Sequence, residues 1–257
     1  MGEFSYRPLI EDMTWSYSRI KCFHDCPYRW FMTYIKHYEG QPQFYASYGS
    51  FMHKLLAAFL GGELTKEQAQ LKFLTGFSKD VQGAFPSEKI ALNYIHSASD
   101  YLSSVEQFPY KTLGIEKELH FNVARHPFIA FLDYIGEEDG IVIVDHKSRA
   151  MKPRSNRAKP TRKDEELDEM LRQLYLYAEA VKQEYGEYPK HLCFNCFRTG
   201  TFIKEPFNER AHQEAIDWAL RSIEAIEDTD DFPPRLEYFP CRFICGLKDE
   251  CCYYGMG

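Results

Sequence analysis

Apolar positions change their period along the chain. Up to about residue 110 they recur every three or four residues, which predicts helices over 17–38, 50–61, 64–80 and 87–107. Beyond that point they alternate or run nearly unbroken, which predicts strands at 112–123, 127–136 and 140–147. A helical period returns over 164–185, strands follow at 190–197 and 200–205, and a last helix spans 208–227. From Asp228 onward proline, aromatic residues and cysteine dominate, and little regular structure is expected. Helices first, then three strands, a helix and further strands give an α/β class in which a mixed central sheet is flanked by helices. At 257 residues and 44% hydrophobic content the chain buries one sizeable core. The expectation is one domain, with a mainly helical region (1–110), an α/β core (111–227) and a cysteine-rich tail (228–257).

The strand Gly140-Ile-Val-Ile-Val-Asp-His-Lys-Ser148 ends in an acid and a lysine two residues apart. Side chains at i and i+2 of a strand share a face, so Asp145 and Lys147 point into one cleft. A surface ion pair is the ordinary meaning of Asp-x-Lys, but a carboxylate that holds a divalent metal beside an ammonium that meets developing negative charge is also equipment for breaking a phosphodiester. The preceding run, Phe128 to Ile135, carries one interior acid, Asp133, where a buried strand has no structural use for a charge. Upstream, Gly49-Ser-Phe-Met-His53 leads into strong helix formers and sets His53 near a predicted helix start. Downstream, Gln173 and Tyr177 lie four apart on one face of a predicted helix.

Charge adds a local feature. The formal net charge is -7, yet Lys147 to Lys163 holds eight Lys or Arg residues and no acid. This reads as a solvated, mobile basic loop able to meet a phosphate backbone. The acids of Lys163-Asp-Glu-Glu-Leu-Asp-Glu169 read as a solvated helix start, where the dipole favours them. With neither a signal peptide nor a membrane span legible, the expected location is cytoplasmic. Eight cysteines in a reducing compartment then suggest metal or cluster ligation and buried thiols. Cys241, Cys245 and Cys251 form a local trio with three and five residues between them, able to bind a soft centre that wants about four ligands. Cys193 and Cys196 form a Cys-x-x-Cys, but on a predicted strand i and i+3 face opposite sides, so they read as structural.

The order Gly-x-x-x-His, Asp, Asp-x-Lys, Gln-x-x-x-Tyr resembles the RecB-family nucleases of the PD-(D/E)xK superfamily. The segment Ser16 to Phe31, with its Ser-x-Ser and Cys-Pro, and the closing cluster Pro240 to Cys252 are similar to the iron-sulfur subgroup, which includes the nuclease partner in AddAB-type helicase-nucleases and the stand-alone nuclease of CRISPR adaptation. The resemblance implies a restriction-endonuclease-like core and a Mg2+ or Mn2+ ion held by His53, Asp133 and Asp145. Catalytic roles would fall to Asp133, Asp145, Lys147, Gln173 and Tyr177, with Glu118 as a weaker outlying acid. It also implies a [4Fe-4S] cluster on Cys26, Cys241, Cys245 and Cys251, which would tie the tail to the N-terminal helices. Here the first pair of the trio is spaced by three residues where the subgroup usually has two. This leaves Cys252 open as a replacement for Cys251, Cys22 for Cys26, and Zn2+ for the cluster. The implied function is exonuclease action on DNA ends or single strands in recombination, repair or CRISPR adaptation. A helicase or integrase partner would fit, since the chain has no Gly-x-x-x-x-Gly-Lys phosphate loop of its own. The alternative is a non-catalytic DNA-binding or scaffold subunit of such a complex.

Overall fold

The structure, a computed structural model, describes residues 5–256. Its N-terminal region holds the short helix α1 (Arg7–Ile10), then α2 (Tyr17–Asp25), α3 (Pro27–Tyr34), α4 (Phe44–Leu60), α5 (Lys66–Asp80) and α6 (Glu88–Ser104). The sheet is built from β1 (Lys111–Val123), β2 (His126–Glu137), β3 (Ile141–His146), β4 (His191–Cys196) and β5 (Thr201–Pro206), side by side in that order. Of these five strands only β3 and β4 pair in parallel, and α7 (Arg162–Tyr185) makes the crossover between them. Helix α8 (Glu209–Glu227) follows the sheet, and the tail carries the short helix α9 (Tyr238–Phe243).

Both faces of the sheet are covered, which is why β3 reads as an unbroken apolar run: all six of its residues are buried. Ile141 and Ile143 face a core shared with Leu171, Leu174 and Val181 of α7 and Ile223 of α8. Val142 and Val144 face a second core with Met52 and Leu56 of α4, Phe73 of α5 and Tyr94 of α6. Among the described residues no helix is long and apolar enough to cross a membrane.

Three expected features differ. The single helix over 17–38 is two, because Cys26 precedes a proline, and the proline ring disfavours the helical conformation in the residue before it. Cys26 is extended (φ −163°, ψ 105°); its N–H still closes α2 on the Cys22 carbonyl, and its thiol caps α3. Helix α4 begins at Phe44 rather than near 50, so His53 lies in mid-helix. The basic segment 150–163 is pinned rather than mobile. Asp164 takes hydrogen bonds from the backbone N–H and hydroxyl of both Ser155 and Thr161, at 2.6–2.7 Å. These four donors hold its carboxyl well below the usual carboxylate range, and it is buried in the first turn of α7, whereas Glu165, Asp168 and Glu169 are exposed as a solvated helix start requires. Arg154 reaches Asp168 and Glu205 at 2.6 and 2.8 Å.

The tail docks by backbone contact. Gln41 N–H donates to the Gly246 carbonyl at 2.8 Å, and Phe232 stacks between Trp30 and Phe31 at 5.6 and 4.9 Å. A Cβ on Gly246 would lie 2.6 Å from the Gln41 carbonyl oxygen, with no flexible side chain to yield. Gly246→Ala should therefore weaken tail docking by about 1–3 kcal/mol, the usual cost of overpacking. Hydrogen exchange checks this: amides of the tail should exchange faster while those of β3 keep wild-type protection.

Candidate active site

Strands β2 and β3 part where the polar residues gather. Their ladder ends at Tyr134 and Val144, and beyond it the His146 N–H donates to Asp133 Oδ2 at 2.6 Å instead of to a backbone carbonyl. Leu132 and Ile135 both join the α7-side core while Tyr134 joins the other, so the in-out alternation of β2 slips around Asp133. The slip leaves a nearly buried carboxylate at the end of the ladder.

Helix α4 brings His53 onto this acid. Nδ1 of His53 is 3.2 Å from Asp133 Oδ1, and Nε2 is 3.0 Å from the His146 carbonyl oxygen. A carbonyl only accepts, so Nε2 carries the proton. The other nitrogen then faces a carboxylate with either a second proton or a bare lone pair, and the latter is repulsive unless a cation lies alongside. Burial opposes charge on His53, but the hydrogen bond and charge of Asp133, with Asp145 and Glu116 beyond, outweigh it and raise its pKa. Burial likewise pushes Asp133 up, and the same contact with His53, together with His146, brings it below the ordinary value.

Glu116 completes the group. Ligand atoms of His53, Glu116 and Asp133 all lie within 4.8 Å of one another. Glu116 lies on β1 between the pairs Ile115↔Tyr134 and Lys117↔Leu132, across from Asp133, with φ +47°. A left-handed non-glycine residue inside a strand costs on the order of 1–3 kcal/mol, and such strain concentrates at functional sites. Glu118, the acid expected nearby, instead pairs with His120 at 2.7 Å on the exposed side of β1.

Asp145 lies outside that trio, its Oδ2 paired with Lys147 Nζ at 2.8 Å. Lys147 Nζ also donates to Gln173 Oε1 at 2.8 Å, and Gln173 Nε2 donates to the Tyr177 hydroxyl at 2.9 Å. The four side chains thus form one chain from β3 to α7. Burial pushes the Asp145 carboxyl up to about 6 against the pull of Lys147, and burial pushes the Tyr177 hydroxyl up as well. Between Asp145 and Lys147, His146 is driven down to about 4 by burial and stays neutral near pH 7. Asn195 of β4 holds this turn of chain. Its amide is 3.0 Å from His146 Nδ1 and 2.7 Å from the Tyr101 hydroxyl, and its backbone oxygen accepts the Lys147 N–H at 2.9 Å. Sequence reasoning missed Glu116, His146 and Asn195. An asparagine inside the apolar run of β4 was the available signal for the last.

Among the cysteines, Cys26, Cys241 and Cys245 line one cavity of about 210 Å3 beside Arg29 and Arg235. Cys26 Sγ accepts the backbone N–H groups of Arg29 and Arg235 at 3.5 and 3.4 Å. Cys251 lies near enough that Cys26 raises its pKa, behind burial and Cys252. Cys22 binds Arg29 Nε at 3.3 Å, and Cys252 meets the Tyr28 hydroxyl at 3.4 Å. Among the described residues no three sulfurs come within 4.8 Å of one another. Tetrahedral zinc, with Zn–S near 2.3 Å, would need sulfurs about 3.8 Å apart. Cys193 and Cys196 are fully buried in opposite cores, and burial raises them to about 12 and about 11.

Residues 14–252 match the PD-(D/E)XK nuclease superfamily. No curated protein matches this chain. Among solved structures it is similar to the crystal structure of a Eubacterium rectale protein named "Putative exonuclease", with a TM-score of 0.56 over 96% of this chain and 91% of that one. Sequence identity between them is 14%, so the likeness is one of fold. The sequence match runs from the N-terminal helices through the Asp133–Lys147 hairpin to the cysteine tail, and the chain belongs to the PD-(D/E)XK nuclease superfamily.

Proposed function

We propose that the protein is a divalent-metal-dependent DNA nuclease that removes nucleotides from DNA ends or single strands. The observation that carries this reading is the facing pair His53 Nδ1 and Asp133 Oδ1, joined by Glu116 within 4.8 Å. Two carboxylates and one imidazole are a donor set that suits Mn2+ as well as Mg2+. A cation held by His53, Asp133 and Glu116, with Asp145 adjoining, would polarise the scissile phosphate and lower the pKa of a water molecule. Lys147 supplies a fixed positive charge where the phosphate gains negative charge, and Gln173, braced by Tyr177, aims it. The His146 carbonyl fixes the His53 tautomer so that Nδ1 is the nitrogen presented to the acids.

Cys26, Cys241, Cys245 and Cys251 are proposed to hold a [4Fe-4S] cluster. Support comes from three of them, Cys26, Cys241 and Cys245, sharing one cavity, with Cys251 near Cys26. Protein purified without oxygen should be brown, with broad absorption near about 400 nm that Cys245→Ser removes. A colourless protein binding zinc stoichiometrically would overturn the cluster.

Wild-type protein should degrade labelled DNA with Mn2+, whereas Asp145→Asn and Lys147→Ala should each lose about 10²–10³-fold or more in rate with unchanged circular dichroism. Full activity in either variant removes the assignment, and an inert wild type would favour a non-catalytic subunit. Acid should suppress cleavage, because Asp145 is ionised only above about 6 and His53 must shed a proton from Nδ1 to bind a cation. Protons and cation compete for the same atoms, so a tenfold rise in Mn2+ should move the acid limb of the rate profile to lower pH. An acid limb indifferent to Mn2+ concentration would place the titrating group elsewhere.

A further inference from the structure

Exposed aromatic side chains gather on the tail, and one of them packs on a ring at the edge of the groove that holds the proposed metal residues. Tyr238 is 73% and Phe239 45% exposed. Phe239 lies 5.4 Å from Phe243 and 5.8 Å from Tyr45, and Tyr238 lies 6.5 Å from Phe243, centroid to centroid. The Arg242 guanidinium sits 5.8 and 5.5 Å over the rings of Tyr238 and Phe243. Tyr45, in the first turn of α4, is where this row meets a groove of about 950 Å3 that also includes His53 and Glu116.

The floor of that groove is low. Ala46, Gly49 and Ala57 present almost no side chain, and a Cβ on Gly49 would meet nothing within 4 Å. Lys54, exposed on the same wall, has no ion-pair or hydrogen-bond partner among the described residues. Glu63 faces the groove as well, toward its far end.

We infer that Tyr238, Phe239, Phe243 and Tyr45 form a stacking platform for the bases of a single DNA strand whose backbone then lies along α4 toward His53. This rests on the nuclease reading above. Unpaired bases offer faces that exposed rings can stack on, whereas in a duplex those faces are occupied by neighbouring bases. Arg242 and Lys54 are cations placed to meet phosphates along the same line. The small residues of α4 let a sugar-phosphate chain approach the helix closely.

The test uses the full chain in chelator, with fluorescence anisotropy of a labelled oligothymidylate and of a blunt duplex, followed by Mn2+-dependent cleavage of that strand and of bis(p-nitrophenyl) phosphate. The double variant Tyr238→Ala, Phe239→Ala should bind the single strand about ten- to a hundredfold more weakly. It should bind the duplex as wild type does and hydrolyse the small diester at the wild-type rate. Gly49→Leu, which fills the open groove without a clash, should weaken strand binding too. Unchanged strand binding in both variants overturns the platform and leaves the rings to a protein partner. A wild type that cleaves neither substrate, yet loses strand binding in the double variant, keeps the platform and sinks the nuclease reading.

Discussion

The contact between His53 and Asp133 is the constraint around which the site is arranged. One nitrogen of the imidazole is committed to the His146 carbonyl, so the other must confront a carboxylate that itself is committed, through Oδ2, to the His146 N–H. One residue of β3 therefore sets both partners. The strand ladder is sacrificed there to do it: backbone pairing stops one residue short, and a side chain takes over the unpaired N–H. What remains is a nearly buried pair of acceptor atoms that is stable only with a positive charge beside it, whether a proton or a metal ion.

The second half of the site shows how a buried acid and a half-buried lysine coexist. Asp145 and Lys147 each lose solvation, and their mutual contact at 2.8 Å offsets that loss. The offset is incomplete, since the Asp145 carboxyl still sits at about 6. A group poised so close to neutrality responds strongly to any added cation. Gln173 Oε1 accepts a hydrogen bond from Lys147 Nζ, and neutral His146 between the two adds no competing charge.

How much of this was legible in the sequence follows from what strand and helix periods encode. The buried strands read correctly because apolar runs with both faces covered have few other meanings, and the i, i+2 rule put Asp145 and Lys147 together. Gln173 and Tyr177 followed from the i, i+4 rule. Glu116 was hidden because strand parity puts it on the same face as Glu118 and cannot tell the two apart; what distinguishes it is a left-handed φ that strand periodicity does not encode. The early start of α4 was hidden because Phe44 to Gly49 mixes small, polar and aromatic residues without a strong cap: Gln43 makes no side-chain capping bond. The basic segment looked mobile because the sequence shows its charges but not their partners. Asp168 and Glu205, which bind Arg154, lie 14 and 51 residues away.

Cys26 joins these local facts to the organisation of the whole chain. Proline at 27 disfavours a continuous helix, and the break turns Cys26 out of the helical ladder with its sulfur accepting from two backbone N–H donors. One of those donors, Arg235, belongs to the tail, so the same sulfur that caps α3 also receives the returning chain. From there the tail carries Phe239 against Tyr45 at the head of α4 and then runs past Cys241 and Cys245. The helix that supplies His53 and the segment that supplies the cysteines are thus in direct contact. Anything that tightened the cysteine cavity would fix the position of the exposed rings relative to the groove, through a short path of packed side chains and without a change in the sheet.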